Sequence, residues 1–468
     1  MHFLLLNPPG KMFYTRDYFC SKVTKAGYAE HPVDLLILSG LISSAGHRVS
    51  LIDAIVERLD FDCVKSRIDS LGLDAIIFLS GSISWKDDFV FLRQVKLSHP
   101  DMLLIGLGDV FLDSGVFEEN SWIDAAVFDF TKDEVLSFAG GRDDSFEGLC
   151  FRRGNKTYIP PKIRNFDDFT IPVPRHELFL GRKYSFPFAR RLPFTTVLTD
   201  YGCPFSCPFC IYSTLGFKLR ELDNVFEELR YIYGLGIKEL FIKDQSFGAN
   251  KERTIALCEG MRKIGKFSWT CFLRTDIAEP ELLTAMKKAG CHTIIFGVES
   301  ASEEILKKYK PGVNKDNAKH AFKLCRRLGI DTVGIFILGF PEEDKKSCLE
   351  TIDFALQLRC DFASFNLFVP KIGTRVRKDL IGQNLLKQGQ PEILDQSGIA
   401  AVWNTNRFTQ KELDGLRRSA LRRFYLRPSY AGKRLFKNLF SATRMKILLN
   451  SASFIFRDIT GKRFYSER

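Results

Sequence analysis

The chain has 468 residues, of which 45% are hydrophobic and 26% charged. This length exceeds one ordinary hydrophobic core, and the composition excludes a disordered or fibrous protein, so two or three globular domains are expected. The net charge of +12 suits nucleic acid, membrane surfaces or anionic substrates and decides among none of them. No apolar run reaches bilayer length, and the 12 cysteines are scattered, which favours a reducing compartment. We therefore expect a cytoplasmic protein.

The first 140 residues alternate apolar runs of strand length with longer amphipathic stretches. This alternation is typical of βαβ units and of a mostly parallel sheet. A helix is predicted over 32–45, and Gly46 suits the position after its end, where a positive φ is needed. Residues 1–140 are therefore expected to form a doubly wound, flavodoxin-like or Rossmann-like α/β domain whose ligand would lie outside the carboxyl ends of the strands. The predicted strands are 2–6, 48–52, 75–79, 102–105 and 125–128.

A second βα series is predicted over 194–376, after a stretch rich in glycine and proline. Residues 141–193 show little periodicity and are interpreted as a linker. The second series contains six repeats, which predicts an incomplete (β/α)6 barrel rather than the eight units of a closed TIM barrel. Its predicted strands lie near 194–199, 239–243, 268–272, 293–298, 332–338 and 362–368, and its predicted helices cover 222–233, 251–264, 280–289, 315–328 and 345–358.

The β pattern stops near residue 376, and residues 377–468 are predicted to form a basic, helical C-terminal extension. Between residues 433 and 457, aliphatic and aromatic side chains alternate with lysine and arginine. Basic amphipathic helices can lie on anionic membrane surfaces, whereas helices that cap an open barrel turn their charges to water. The sequence favours capping and leaves a membrane-surface location open.

Three cysteines, Cys203, Cys207 and Cys210, fall in a short loop directly after the first strand of the second series. A barrel places its chemistry at this end of its strands. A structural zinc site is the first alternative, but it uses four ligands, and no fourth cysteine or histidine lies nearby. Three thiolates on an iron–sulfur cubane leave one iron open for a chelating amino acid. The other nine cysteines are single residues in apolar segments, so most are expected to be buried.

The spacing CxxxCxxC, with Phe209 directly before the third cysteine, resembles the radical S-adenosylmethionine (SAM) superfamily. The resemblance implies a [4Fe–4S] cluster on Cys203, Cys207 and Cys210. It also implies that SAM binds the open iron through its amino and carboxylate groups. Reductive cleavage of SAM would then give a 5′-deoxyadenosyl radical.

The same resemblance implies SAM contacts at the ends of later strands. Phe209 and Gly339 would belong to segments that contact the adenine, and Glu299 would contact the ribose. Arg274 would pair with a SAM carboxylate or a substrate anion. Asp244 begins a segment that would contact the methionine amino group, although taken alone it is equally compatible with a helix cap. The full predicted set is Phe209, Asp244, Gln245, Ser246, Arg274, Glu299 and Gly339.

Residues 32–54 resemble the opening of the B12-binding domain that precedes the barrel in the cobalamin-associated group of this superfamily. The resemblance covers residues 1 to about 430 and implies a class B-like methyltransferase, a cyclase or a ring-forming enzyme. The loop at 106–109 keeps two glycines, but the loop at 128–134 has lost the glycines that would admit a corrinoid ring. No DxHxxG motif is present, so no histidine is predicted as an axial ligand. Cobalamin binding and an empty scaffold domain both stay open.

The sequence thus predicts an enzyme that functionalises an unactivated C–H bond, with cobalamin-dependent methyl transfer as the leading reaction. Two alternatives are a cobalamin-independent cyclase or rearrangement enzyme acting on a lipid or natural product, and an RNA-modifying radical SAM enzyme. A third is a catalytically silent zinc or cluster protein. The expected partners are a small-molecule or lipid substrate and an electron donor such as flavodoxin or ferredoxin, with no nucleic acid. Peripheral contact with the inner face of the membrane through the C-terminal region is also allowed.

Overall fold

The structure, a computed structural model, contains two large β-sheets with helices packed around them, and two β-hairpins. It describes residues 1–24, 27–142, 145–154, 156–160, 167–389, 391–430, 432, 453, 455, 456 and 458–460. The α/β class with parallel sheets predicted from the sequence is confirmed. No described helix is long and apolar enough to cross a membrane.

The first sheet has seven strands in the order β4-β1-β5-β6-β7-β8-β9. Its first five members run parallel, with Phe3 of β1 opposite Val49 of β4 and Ala75 of β5. The order reverses at β1, as in doubly wound sheets. The elements of this region are β1 (His2–Asn7), β2 (Tyr14–Asp17), β3 (Cys20–Val23), β4 (Arg48–Asp53), β5 (Ala75–Leu79), β6 (Leu103–Leu107), β7 (Ala125–Val127), β8 (Leu149–Arg153), β9 (Lys156–Tyr158), α1 (Val33–Ser44), α2 (Ala54–Glu57), α3 (Phe61–Leu71), α4 (Trp85–Ser98), α5 (Ser114–Glu119) and α6 (Glu134–Ala139).

The first domain extends beyond the predicted boundary at residue 140. Strand β8 pairs antiparallel with β7, and β9 pairs antiparallel with β8, so these two strands continue the first sheet instead of belonging to a linker. Gly154, which suggested a loop, has φ 56° and lies in the turn between these two strands. The predicted helix α1 is confirmed, and Gly46 has the expected positive φ of 78° after its end.

A β-hairpin that the sequence analysis did not predict follows β1. Strands β2 and β3 pair so that Asp17 faces Cys20, which leaves Tyr18 and Phe19 as a two-residue turn. Both turn residues have positive φ, 47° and 54°. Such conformations favour Asn-Gly in hairpins and cost about 1–3 kcal/mol for each residue with a side chain. Burial of the two aromatic rings, each about 1.5–3 kcal/mol, offsets this cost.

The remaining part of the predicted linker, from residue 167 to residue 193, is packed between the two sheets. The carbonyls of Pro172 and Val173 cross α1 at Gly40, where a Cβ would lie 2.7 Å from either oxygen. The Tyr184 hydroxyl donates to Asp53 Oδ2 at 2.9 Å. Phe179 and Phe186 are buried in one hydrophobic cluster with residues of both sheets. The two domains therefore share a core.

The second sheet has six parallel strands in sequential order, β10-β13-β14-β15-β16-β17, as the six βα repeats predicted. Capping boxes start α11 and α12, so the sequence signals for their N-termini are local. The elements are β10 (Phe194–Val197), β11 (Asp200–Gly202), β12 (Phe217–Leu219), β13 (Glu239–Ile242), β14 (Ser268–Arg274), β15 (Cys291–Glu299), β16 (Asp331–Leu338), β17 (Phe362–Leu367), α7 (Leu222–Gly234), α8 (Lys251–Ile264), α9 (Pro280–Lys288), α10 (Glu303–Tyr309), α11 (Lys315–Leu328), α12 (Lys345–Leu358), α13 (Arg375–Gly382) and α14 (Gln410–Tyr425).

The C-terminal extension is helical only in part. Helices α13 and α14 are separated by irregular chain over the described residues from 383 to 409. Helix α14 packs along β17, where Arg417 Nε donates to the Phe365 carbonyl at 2.9 Å and the Tyr425 hydroxyl to that of Ala363 at 2.7 Å. This helix packs along the edge strand of the second sheet, and the capping interpretation of residues 433–457 stays a prediction. Most of the predicted basic tail, including residues 433–452, lies outside the described residues.

Candidate functional site

The loop that carries the three cysteines is built on the β11–β12 hairpin. Cys203 N–H donates to the Gly216 carbonyl at 3.0 Å, and Cys210 N–H donates to the Cys207 carbonyl at 3.1 Å. Gly202 has φ 79°, and a Cβ there would lie 1.9 Å from the Gly216 oxygen, so only glycine fits. The loop is therefore held by backbone contacts that leave its thiols free for a ligand.

The three thiols line a cavity of about 560 Å³ at the carboxyl ends of the second sheet. Phe209, Gln245, Arg274 and Glu299 of the predicted SAM contacts line the same cavity. The far wall is formed by apolar side chains of β15, β16, β17 and α14. These apolar residues include Ile295, Val333, Ile335, Phe362, Phe365 and Leu421.

The donor set and its surroundings fit an iron–sulfur cubane. Burial raises the pKa of Cys203 to about 12 and raises the pKa values of Cys207 and Cys210, so iron binding would displace protons from the thiols. Arg274 Nη1 lies 3.6 Å from Cys207 Sγ, and the positive charges of Lys310 and Arg274 partly oppose the rise that burial causes in the pKa of Cys207. Over the described residues, no group of three or more His, Cys, Asp or Glu side chains closes on a single metal ion. A cubane is different because each thiolate binds its own iron.

Arg274 is held in place by contacts on several sides. Its Nε and Nη2 atoms pair with the two carboxylate oxygens of Asp276 at 3.0 and 2.7 Å, and Nη2 also donates to the Pro311 carbonyl at 2.9 Å. The guanidinium lies 3.7 Å from the centre of the Phe205 ring. Only Nη1, on the side of Cys207, is directed toward the cavity, so Arg274 presents a fixed positive charge beside the cysteine triad.

Glu299 lies at a bulge at the end of β15. The β15–β16 register shifts between Gly297 and Glu299, and Glu299 has φ 66°. Its Oε1 accepts a hydrogen bond from Lys310 Nζ at 2.7 Å, and Lys310 also donates to the Gly297 carbonyl at 2.6 Å. Bulges re-aim side chains, and strained backbone of this kind clusters at functional sites. Here the bulge directs a lysine-bound carboxylate into the cavity.

Three predicted contacts, Asp244, Ser246 and Gly339, do not appear among the described residues that line the cavity. Asp244 accepts hydrogen bonds from Thr199 N at 2.6 Å and Asp200 N at 3.2 Å, so it anchors the segment that leads into the cysteine loop and caps no helix. Burial raises the pKa of Asp244 to about 6. Ser246 is buried, and a Cβ on Gly339 would lie 2.6 Å from Leu413 of α14.

Lys243 is a cavity residue that the sequence analysis missed. It follows β13 and is nearly buried, with its Nζ 2.8 Å from Asp17 Oδ2 and in contact with the Glu30 carboxylate. Both acids come from the first domain, and their charges raise the pKa of Lys243. The only local signal was a lysine directly after a buried strand. Its partners lie more than 200 residues away in the chain.

Arg220, between β12 and α7, is fully buried. It pairs with Glu228 of α7, and the other carboxylate oxygen of Glu228 lies 2.8 Å from His176 Nε2. The local sequence around Arg220 does not show this partner, because His176 comes from the stretch before β10. The network supports the turn between β12 and α7 and does not reach the cavity.

An ion pair between α14 and a later part of the chain lines the cavity. Arg417 of α14 contacts both oxygens of the Asp458 carboxylate, with Nη1 2.7 Å from Oδ1. Ile455 also lines the cavity, and Ile459 is buried. The last described residues of the chain thus form part of the cavity wall.

Comparison with known proteins places this site in a family. The model of the radical SAM superfamily matches residues 197–355. An uncharacterized methyltransferase of Pyrococcus horikoshii is 31% identical over 454 residues, which cover 94% of this chain and 95% of that protein. The chain belongs to the radical SAM superfamily. Membership implies a [4Fe–4S] cluster and SAM, and it makes this protein an enzyme.

Two further comparisons extend over both domains of this radical SAM enzyme. The bacteriochlorophyllide d C-12(1)-methyltransferase of Chlorobaculum tepidum is 29% identical over 363 residues, covering 76% of this chain and 74% of that protein. The structure of the cobalamin-dependent S-adenosylmethionine radical enzyme OxsB, with aqua-cobalamin and SAM bound, matches with TM-score 0.67 and 16% identity. The match covers 98% of this chain and 71% of that one, and it shows a common fold.

Proposed function

We propose that this radical SAM enzyme transfers a methyl group to an unactivated carbon of an apolar small molecule or lipid bound in the cavity. The observation that carries the proposal is the cavity itself, which joins the three thiols to an apolar wall on β15, β16 and β17. The names of the Pyrococcus and Chlorobaculum relatives support methyl transfer. The second sheet is interpreted as the partial barrel and the first domain as a B12-binding-type fold.

A bound cluster and SAM supply the 5′-deoxyadenosyl radical by reductive cleavage of the sulfonium. The thiols of Cys203, Cys207 and Cys210 hold the cluster. Arg274 offers Nη1 to the SAM carboxylate, because its other donors are engaged by Asp276 and Pro311. Glu299, held by Lys310, accepts hydrogen bonds from the ribose hydroxyls.

The cavity wall then determines what reacts. Apolar side chains of the second sheet exclude water from the radical and hold the carbon that loses hydrogen. Phe209 packs edge-on against the buried Phe340, with ring centroids 5.8 Å apart, which fixes the backbone beside the third cysteine where the adenine would lie. Gln245, whose amide donates to the Lys243 carbonyl at 3.0 Å, presents its oxygen toward the methionine amino group.

The overall reaction balances with two SAM molecules and two electrons. One SAM would be consumed with one electron and appear as methionine and 5′-deoxyadenosine, whose new hydrogen comes from the substrate. The second SAM would be the source of the methyl group and, with the second electron, would appear as S-adenosylhomocysteine. The electrons come from a reduced flavodoxin or ferredoxin. This balance of atoms and electrons holds with or without cobalamin as a methyl carrier.

We further propose that the enzyme works in the cytoplasm on a substrate that is not nucleic acid. The apolar cavity wall suits a substrate that partitions into membranes, which would explain a peripheral contact with the inner face of the membrane. The residues expected to make that contact, 433–452, lie outside the described part of the chain.

The test uses anaerobically reconstituted enzyme, dithionite and SAM with a deuterated methyl group. Lipid, small-molecule and RNA fractions of the cells are supplied separately. We expect 5′-deoxyadenosine and S-adenosylhomocysteine in equal amounts, with the label in the lipid or small-molecule fraction. Formation of 5′-deoxyadenosine without S-adenosylhomocysteine would indicate a cyclase or rearrangement enzyme, and label in RNA would indicate an RNA-modifying enzyme. Either result would overturn the proposal.

A further inference from the structure

In doubly wound sheets, ligands bind outside the carboxyl ends of the strands. In the first sheet, these ends are the residues directly after the five parallel strands β1, β4, β5, β6 and β7. A flat macrocycle such as a corrin needs open surface there. The front-domain residues that line the cavity instead come from the β2–β3 hairpin and the stretch just after it. They are Thr15, Asp17, Cys20, Lys22, Thr24, Tyr28 and Glu30, and no described residue of these strand ends is among them.

The turn of the hairpin fills the space over β7. Tyr18 and Phe19 are 0% and 1% exposed. Their rings pack on Phe130, which follows β7, with centroids 5.3 and 6.1 Å apart. The ring of Tyr18 also packs on Tyr201 and Tyr212 of the cysteine hairpin, at 5.6 and 5.0 Å. One aromatic cluster thus joins the strand ends of the first sheet to the cysteine loop.

The glycines at these strand ends are also covered by neighbouring parts of the chain. A Cβ on Gly81, after β5, would lie 2.1 Å from Ser21 Cβ in β3. A Cβ on Gly108, after β6, would lie 2.0 Å from the Ser80 carbonyl oxygen. The small residues of these loops accommodate protein chain, so they leave no flat surface for a ring.

A segment from beyond the second sheet completes the closure. Leu394 N–H donates to the Ser82 carbonyl at 2.9 Å, and Gln396 N–H donates to the Ser21 carbonyl at 3.2 Å. The Gln396 side-chain amide donates to Asp109 Oδ2 at 2.7 Å. The strand ends after β5 and β6 are therefore covered by both the hairpin and this segment.

Hydrogen bonds and an ion pair also join the first domain to the loop of the cysteine triad. The Tyr201 hydroxyl donates to the Phe128 carbonyl at 2.8 Å, and Lys218 Nζ lies 2.6 Å from Asp129 Oδ2. The Gly202 N–H, one residue before Cys203, donates to the Tyr18 hydroxyl. Tyr18 is thus one hydrogen bond away from the backbone of the first cysteine.

We infer that the Tyr18–Phe19 turn occupies the place of a corrinoid, so that this chain binds none, and that Tyr18 is a positioning residue for the cysteine loop. The first domain then acts as a scaffold that supports the cluster through an aromatic turn. This inference does not depend on the substrate or on methyl transfer.

The first test measures corrinoid binding directly. Wild-type enzyme, reconstituted anaerobically with iron and sulfide, is incubated with hydroxocobalamin and in parallel with methylcobalamin, then passed through a desalting column. We expect the protein fraction to carry iron and sulfide but no corrin absorbance. Retention of about one corrinoid per chain by the wild-type protein would overturn the scaffold assignment, whatever its effect on activity.

The second test addresses the positioning role. Tyr18→Phe keeps the ring and removes only the oxygen that accepts from Gly202. We expect an unchanged iron content, a thermal midpoint lowered no more than in the control variant below, an altered EPR signal of the reduced cluster, and SAM binding weakened about 2- to 10-fold, the range of one lost hydrogen bond. Tyr184→Phe is the matched control, since it removes a hydroxyl that bonds to Asp53, on the first sheet. An EPR signal and SAM affinity identical to wild type in Tyr18→Phe would refute the positioning role.

Discussion

The two sheets end in contrasting ways. Both present the carboxyl ends of parallel strands to the region between the domains, yet the second sheet borders a cavity with charged side chains, whereas the first is packed to closure. The loop after β10 turns back as a hairpin that leaves three thiols free. The chain after β1 folds over its own sheet and buries two aromatic rings. Strand order alone therefore does not locate a ligand, because the following loop decides whether the edge stays open.

The largest expected effect concerns the carboxyl ends of the second sheet, where the strands border the cavity. Cys207→Ala removes one of three thiolate ligands, so the cluster should not assemble and formation of 5′-deoxyadenosine should fall below detection. Iron and sulfide content and product analysis measure this. Cys63→Ala, at an exposed position in the first domain, is the control and should keep both. A Cys207→Ala protein that still cleaves SAM would show that the triad is not the cluster site.

The next largest effect concerns the carboxyl ends of the first sheet, where a substitution should lower stability. Arg16 is buried and pairs with Asp88 at 2.7 Å, while its other nitrogens donate to Asn7, Pro8 and Ser84. Arg16→Met leaves Asp88 as an uncompensated buried charge and should lower the free energy of unfolding by about 3–5 kcal/mol in urea titrations.

The control for this prediction is an exposed ion pair of the same domain. Lys65 and Asp69 are 2.8 Å apart on α3, and Lys65→Met should cost at most about 1 kcal/mol. If Arg16→Met were equally mild, the packing at the strand ends of the first sheet would contribute little to stability. The closed packing at the first sheet would then not be explained by a gain in the free energy of unfolding.

A moderate effect is expected at Arg274, which tests its assignment to the SAM site at the carboxyl ends of the second sheet. Arg274→Gln removes the charge beside Cys207 and should weaken SAM binding by about 10- to 100-fold, the range for a hydrogen bond to a charged group. Titration of SAM into the reconstituted enzyme, followed by EPR, gives the dissociation constant. Arg67→Gln, which removes an exposed partner of Glu57, should leave it unchanged. Equal affinities in wild type and Arg274→Gln would remove Arg274 from the SAM site.

The smallest expected effect is a pH dependence of stability. Glu343 accepts hydrogen bonds from Gly339 N at 2.8 Å and Phe340 N at 3.1 Å, and burial raises its pKa to about 7. Because its pKa in the folded protein exceeds its unfolded value, the folded state holds more protons between pH 4.5 and 7. The contribution of this group is complete below pH 4.5 and is lost as the pH rises through 7.

This loss should amount to about 1–3 kcal/mol in the free energy of unfolding. Glu343→Gln should flatten the difference between pH 5 and pH 8, measured by urea unfolding at both values. Glu412→Gln, at an exposed cap of α14, is the comparison variant and should leave that difference as it is in wild type. A steep slope retained in Glu343→Gln would assign the pH dependence to other buried carboxyls.

Much of the second sheet could be predicted because its signals are local. Its strands are rich in apolar residues, and helices such as α11 and α12 begin at capping residues, Asn314 and Asp344. The predicted bounds of these two helices match the structure. The cysteine triad was equally local, since three residues in one loop carry it. Such features follow from neighbours along the chain, which a sequence displays directly.

The missed features depend on distant partners. The β2–β3 hairpin has Tyr18 and Phe19 where an Asn-Gly turn would be recognised, and only packing against Phe130 makes that turn acceptable. Lys243 is held at the cavity by ion pairs with Asp17 and Glu30, which belong to the other domain. The SAM contacts themselves remain predictions. For Asp244 in particular, the structure shows bonds to the backbone before the cysteine loop that no spacing rule contains.

The pair between Arg417 and Asp458 has a practical consequence for handling this protein. Asp458 lies about 30 residues beyond α14 in the chain and still lines the cavity, so proteolytic cleavage before residue 458 would remove a charged group from the cavity wall and leave Arg417 without this partner. We expect an enzyme cleaved there to differ from the uncleaved chain in the substrates it accepts. Protein purified for assay should accordingly be checked for an intact mass.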